Sequence, residues 1–202
     1  MRLDNVALFP LGTVLFPGGV LPLRIFETRY MDMARECLRE DQPFGVCLIT
    51  EGSEVGAVAR HEPVGCLARI TDCDMEQIGV LLVRTIGTDR FRVDDTRVER
   101  SGLIRATVTI LAEDPQTEVP GDLADCAMLA RRIVEDLESR ETDSQLRMIA
   151  QPYAFESASW VGNRLAEVLP LPLAAKQRLM EIDDPLTRLA LLQRFLQEHQ
   201  VL

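Results

Sequence analysis

The spacing of apolar and polar positions changes character once along the chain. Up to about residue 115 the apolar residues come in short runs rich in Val, Ile and Thr, punctuated by glycine, and this pattern predicts strands. Val6-Ala7-Leu8-Phe9 opens the series, Gly12 and Pro17-Gly18-Gly19 mark turns, and Val20 to Phe26 resumes an extended run in which Pro22 fits an edge or irregular strand. Tyr30, Met33, Ala34, Cys37 and Leu38 then recur at helical spacing, predicting one amphipathic helix over 27–39. Further strands are expected at about 44–50, 64–72, 78–87, 89–94 and 103–112. The last alternates cleanly, with Ile104, Ala106, Val108 and Ile110 on one face and Arg105, Thr107 and Thr109 on the other.

Beyond about residue 120 the composition turns to Leu, Ala, Arg, Glu and Gln, the good helix formers. Helices are expected from Asp122 through Leu137, over about 143–151, 155–168 and 173–181, and after Asp184-Pro185, a cap followed by a proline at the first helical position. Between the halves lies Glu113–Gly121, polar and with two prolines, which reads as a linker. The expected organisation is therefore a β subdomain over 1–115, a linker over 116–121 and a helical bundle over 122–202. In class this is α+β, a small barrel or curled sheet with one early helix, followed by the bundle.

Charge narrows the function. The 202 residues carry a formal net charge of -10, spread evenly over the two halves, so neither half offers a cationic grip for nucleic acid or an anionic membrane surface. No apolar run has the length of a membrane span, and the N-terminal residues lack a signal-peptide pattern, so a cytoplasmic protein is expected. The five cysteines show no Cys-x-x-Cys spacing and sit mostly in apolar segments, which suits free thiols in a reducing compartment and no zinc site. His61 and His199 form no ligand pair. Asp72, Asp74 and Glu76 read as a solvated acidic turn, and no metal or cofactor is expected.

Catalytic signatures are missing. There is no P-loop, no dinucleotide fingerprint and no Gly-x-Ser-x-Gly elbow. A Ser–Lys dyad would need Lys176, the sole lysine, which reads as part of a solvated helix face.

Taken whole, Leu8-Phe9-Pro10-Leu11-Gly12-Thr13-Val14-Leu15-Phe16-Pro17-Gly18-Gly19-Val20-Leu21-Pro22-Leu23-Arg24-Ile25-Phe26-Glu27 resembles the start of the N-terminal substrate-binding domain of Lon proteases. Phe44–Ile49 with Gly52–Gly56, Val64–Ile70, Gly87–Val93, and Leu169-Pro170-Leu171-Pro172 with Lys176–Glu181 are similar to later blocks of that family, in order. Cys66 departs from the threonine common there. The resemblance implies a PUA-like barrel followed by a helical bundle, and recognition of unfolded or extended polypeptide, in concert with a protease or chaperone. Full-length Lon carries ATPase and Ser–Lys protease modules whose motifs do not occur here, so a non-enzymatic adaptor is expected.

Candidate polypeptide-binding residues are Phe16, Pro17, Arg24, Phe26 and Trp160. Phe16 reads either as an exposed aromatic grip or as a plug buried at the barrel end. Arg24 is expected to pair with Glu27 or Glu62, Asp89-Arg90-Phe91-Arg92 to form a hairpin with the arginines outside, and Trp160, Tyr153 and Phe155 to anchor the bundle onto the barrel or to serve an interface. Two other readings stay open: an enzyme with a small-molecule pocket between barrel and bundle, and a PUA-like RNA binder.

Overall fold

A computed structural model describes residues 1–141 and 148–201, with Glu76 described by its backbone alone. The chain divides into two compact units, Met1–Ala112 and Glu113–Leu202. The first contains six strands and one helix: β1 (Arg2–Leu11), β2 (Val20–Ile25), α1 (Thr28–Glu40), β3 (Phe44–Glu51), β4 (Arg60–Gln77), β5 (Val80–Val98) and β6 (Ile104–Ile110).

The strand pairings close on themselves. β1 pairs β3 in parallel and β6 antiparallel; β3 pairs β4, β4 pairs β5, and β5 returns to β6. β5 closes the ring by serving two neighbours in turn. Its first half pairs β2, from Ile86 opposite Val20 to Leu81 opposite Ile25, and its second half pairs β6. β2 is left at the end of the sheet.

Alternation along each strand builds two cores from one sheet. Val6, Leu8, Cys47, Leu67, Phe91, Ile104, Ala106 and Val108 fill one side of it. Ala7, Phe9, Phe44, Val46, Cys66, Ala68, Leu81 and Val83 pack on the other, where Tyr30, Met33, Ala34 and Cys37 of α1 cover them. Both faces of β1 are thus occupied, which is why Val6–Leu11 is buried without interruption. The predicted face of β6 is the one turned to the Phe91 core.

Three features of this unit depart from expectation. The strands anticipated at 78–87 and 89–94 are one continuous strand, β5, and β4 runs well beyond the expected 64–72. Asp89-Arg90-Phe91-Arg92 makes no hairpin, because it lies within β5 where that strand passes from β4 to β6. Phe91 is buried there as expected, but so is Arg90, whose Nη2 donates to the Ala112 carbonyl at 3.1 Å. Asp72-Cys73-Asp74 is likewise strand, paired with β5, and not a turn.

The second unit contains a 3-10 turn (Gly121–Leu123), α2 (Ala124–Arg140), α3 (Ala158–Val168), α4 (Leu173–Glu181) and α5 (Pro185–Glu198). α5 starts as its sequence dictates: Asp184 Oδ2 accepts from Thr187 N–H at 2.9 Å with Pro185 next in line. That hydrogen bonding, foremost from Thr187, holds the Asp184 carboxyl below the ordinary carboxylate range. Asp122 belongs to the 3-10 turn and does not cap α2. Of the helix expected over 143–151, residues 143–147 lie outside the described residues and 148–151 are not helical.

The segment expected as a linker is part of this second unit. Ala158 N–H donates to Thr117 O at 2.9 Å, Val119 N–H donates to Glu156 O at 2.8 Å, and Glu118 forms a bridge with Ser157. Asp114 anchors it most firmly. Its carboxylate accepts from Ser159 Oγ at 2.6 Å and meets Arg188 Nη1 at 2.6 Å. Arg188, 1% exposed, also donates through Nε to Leu179 O and through Nη2 to Ile182 O. Every nitrogen of a buried guanidinium is thereby used.

Candidate functional site

The sheet ends at β2, and α1 begins three residues later. That junction gathers Phe9, Arg24, Ile25, Phe26, Glu27, Tyr30, Glu54 and Val55 around a shallow cleft of about 40 Å³. Phe9 and Tyr30 form its floor, their rings stacked at 3.8 Å. The Arg29 guanidinium lies 4.6 Å over the Tyr30 ring, and Glu27 Oε2 sits 3.0 Å from Arg29 Nη2. Glu54 is fixed at the rim by accepting from Gly12 N–H at 2.6 Å. Burial, foremost, raises the Tyr30 phenol, so it stays neutral and adds no charge to the floor. Phe26 and Val55, each more than half exposed, supply an apolar rim. The volume is far below the ~300 Å³ at which small-molecule sites begin.

Of the five sequence candidates, Arg24 and Phe26 meet at this cleft. Phe16 does not: of its two readings, the exposed aromatic grip is corrected and the buried one holds, its side chain being wholly buried. The cause is the backbone of its loop. Gly18 N–H donates to Gly87 O and Gly87 N–H to Gly19 O, both at 2.8 Å, while Phe16 O accepts from Gly19 N–H at 2.9 Å. A Cβ on Gly87 would lie 2.2 Å from Phe16 O, so only glycine lets the loop seat this closely on β5. Pro17, half-buried, belongs to the same seated loop. Trp160 lies in the second unit, edge-on to Phe155 at 5.0 Å and 6.1 Å from Tyr153, with Arg131 over the Phe155 ring at 4.2 Å. Tyr30, Glu54 and Val55 were missed as site residues. Their sequence signals, a helix stripe and a Gly-flanked loop, fit structural roles equally well.

Lys176 is not a solvated residue. It is half-buried, and its ammonium donates to Glu167 O at 2.6 Å, at the C-terminal end of α3. Burial, foremost, lowers its pKa. Among the described residues no three His, Cys, Asp or Glu side chains converge as a metal site, and no helix is long and apolar enough to cross a membrane.

All five cysteines are free thiols. Burial, foremost, pushes Cys37 and Cys126 up to about 11 and Cys47 up to about 12. Only Cys73 is more than marginally exposed. A thiol-reactive dye at about pH 8 is therefore expected to label Cys73 first and the buried thiols only on unfolding. The raised values also set a sign. The buried thiols favour the fold while protonated, fully so below their ordinary pKa of 9.0, and that contribution is lost as the pH climbs towards 11 and 12. Denaturant midpoints are expected to fall over that interval.

Comparison with known proteins agrees with this architecture. A profile for the ATP-dependent protease La (Lon) substrate-binding domain matches residues 5–198. The chain is similar in structure to a Lon N-terminal domain protein from Xanthomonas campestris, with a TM-score of 0.76 and 35% identity over 95% of this chain and 98% of that one. The N-terminal domain of a Mycobacterium avium complex Lon protease shares the fold, with a TM-score of 0.62 at 17% identity, over 98% of this chain and all of that one. Protein cereblon of Danio rerio is 26% identical over 145 residues, covering 70% of this chain, and that of Gallus gallus 32% over 103 residues, covering 50%. The chain spans only 32% and 22% of the length of these two curated relatives. With the match running from Asn5 nearly to the C-terminus, the chain belongs to the Lon substrate-binding domain family.

Proposed function

We propose that this chain is a non-catalytic recognition module that binds unfolded or extended polypeptide and presents it to a protease or chaperone. Membership of a substrate-binding family is the observation that carries the reading. The cleft at the end of β2 supports it: an aromatic floor and an apolar rim at Phe26 and Val55. Such a surface takes apolar side chains as anchors, while backbone hydrogen bonding leaves most of the sequence unread. The absence of P-loop and nucleophile-elbow motifs from these residues, and the commitment of Lys176 Nζ to a carbonyl, favour binding without chemistry. Five free thiols suit work in the reducing cytoplasm.

The test is a titration with one polypeptide in two states, native and permanently unfolded by reduction and alkylation. The unfolded state is expected to bind and the native state not to. Phe26→Ser is expected to weaken binding roughly fivefold, the equivalent of about 1 kcal/mol of lost apolar contact. Equal binding of both states, or of neither, would defeat the reading.

A further inference from the structure

The cleft at the end of β2 is nearly closed. Phe9 and Tyr30, the rings that would grip an apolar side chain, are only 7% and 6% exposed. The space above them is about 40 Å³, whereas a cavity that admits benzene measures about 150 Å³. An aromatic side chain reaches this floor only if one wall moves aside. Most of the surroundings are fixed by pairing and packing. Phe9 lies on β1 opposite Val46 of β3, Ile25 of β2 stands opposite Leu81 of β5, and Tyr30 belongs to the α1 stripe buried in the core.

The wall formed by Glu54 and Val55 is held differently. It lies between the end of β3 at Glu51 and the start of β4 at Arg60, and residues 52–58 are all exposed. Glu51 and Arg60 pair across the base of this segment, and a Cβ on Gly52 would come within 3.3 Å of Ala59. Its ends therefore stay joined wherever its middle goes. Gly52 and Gly56 take φ of +100° and +91°, which places a glycine turn at the start of the segment and another just past Val55. The middle is tied down at two points. Glu54 Oε1 accepts from Gly12 N–H at 2.6 Å, and Glu27 Oε2 accepts from Gly56 N–H at a long 3.5 Å. Both bonds are exposed, so water competes for the same groups and the segment opens at low cost.

We propose that residues 52–58 form a strap, latched over the cleft by Glu54, that lifts to admit the apolar side chains of an extended polypeptide. In the latched state the Glu54 carboxylate occupies the Gly12 N–H just beyond β1, and Val55 stands beside the aromatic pair. Release of that carboxylate frees the strap to swing about its Glu51–Arg60 base. The swing uncovers the Phe9–Tyr30 floor and leaves Gly12 N–H to the incoming chain. Apparent affinity then scales with the fraction of molecules whose strap is open, so the latch holds binding down. This rests on the polypeptide-recognition reading and adds the element that gates the cleft.

Titration of the permanently unfolded polypeptide into wild type, Glu54→Ala and Glu51→Ala tests it. Glu54→Ala loses the latch and is expected to bind about fivefold tighter. Glu51→Ala removes the same charge from the base of the loop, where Glu51 meets Arg60 at 3.3 Å, and is expected to bind like wild type. The Gly12 amide resonance is expected to shift in Glu54→Ala and to stay in place in Glu51→Ala. Denaturant midpoints of both variants are expected to match wild type, which separates an opened strap from a loosened fold. If wild type binds but Glu54→Ala gains nothing, if Glu51→Ala gains equally, or if the gain comes with a lower midpoint, the strap is overturned and the general reading stands. If the unfolded polypeptide binds neither wild type nor Glu54→Ala, both fall.

Discussion

Arg188→Met is expected to destabilise the second unit by about 3–5 kcal/mol, enough to unfold much of it at ambient temperature. Met approximates the shape of the arginine stem but offers no donor. Asp114, with only 9% of its side chain exposed, would keep the Ser159 hydroxyl and lose its counter-charge. The carbonyls of Leu179 and Ile182, at the end of α4 and just beyond it, would lose the hydrogen bonds from the guanidinium as well. A double variant, Arg188→Met with Asp114→Leu, separates these costs. It removes the Asp114 carboxylate but leaves both carbonyls without the hydrogen bonds the guanidinium gave them, so it is expected to recover about half of the loss. Arg188→Lys keeps the charge but cannot serve a carboxylate and two carbonyls together, and is expected to fall between wild type and Met. Trp160 is the only tryptophan and lies in this unit, so its fluorescence against denaturant reads the effect directly. A midpoint unchanged in Arg188→Met would show that the buried pair contributes nothing to the fold.

That pair also shows where sequence reading stops. Arg188 sits between Leu186 and Leu189 in a leucine-striped helix, where an arginine reads as solvent-facing. Its partner lies 74 residues away in a polar, proline-bounded stretch that reads as linker. No local periodicity connects them. The same limit explains β5. Asp89-Arg90-Phe91-Arg92 is polar enough to suggest a turn, yet it spans the crossing between two partner strands, where the buried Arg90 is satisfied by a carbonyl from another segment. Elements whose burial follows one period were legible: α1 by its stripe, β6 by strict alternation, α5 by Asp184-Pro185. At the cleft, the neighbourhood of Arg24, within a proline-marked strand, and Phe26, just after it, was legible as a strand-to-helix junction. Phe16 could be read as a grip or as a plug because a Pro-Gly-Gly turn says nothing about which strand it seats against; that depends on Gly87, in a distant run.

Gly65→Ala is expected to be among the most damaging single-methyl changes in the first unit, at about 3 kcal/mol or more. Gly65 lies on β4 opposite Phe91 of β5 and Cys47 of β3, with no special backbone angle, so conformational freedom is not the reason for glycine. Space is. A Cβ there would stand 2.3 Å from the Val46 carbonyl oxygen, 2.8 Å from Cys47 Sγ and 2.8 Å from Phe91 Cζ. Phe91 also crowds Gly45, whose Cβ would come within 2.7 Å of the same ring atom and 2.6 Å of Leu8 Cδ2. Two glycines on neighbouring strands therefore make the slot that the fully buried ring fills. Gly45→Ala meets only side chains, so Phe91→Leu is expected to relieve it in part. Gly65→Ala meets a backbone carbonyl within the β3–β4 pairing, which cannot rotate away, so the same second change is expected to relieve it little. Gly121→Ala, where a Cβ would meet nothing within 4 Å, is the control and is expected to be neutral within about 0.5 kcal/mol. Far-UV circular dichroism against denaturant for the five variants checks the order. A Gly65→Ala variant as stable as Gly121→Ala would mean that β3 and β4 yield at this point, and that the slot is not what fixes Phe91.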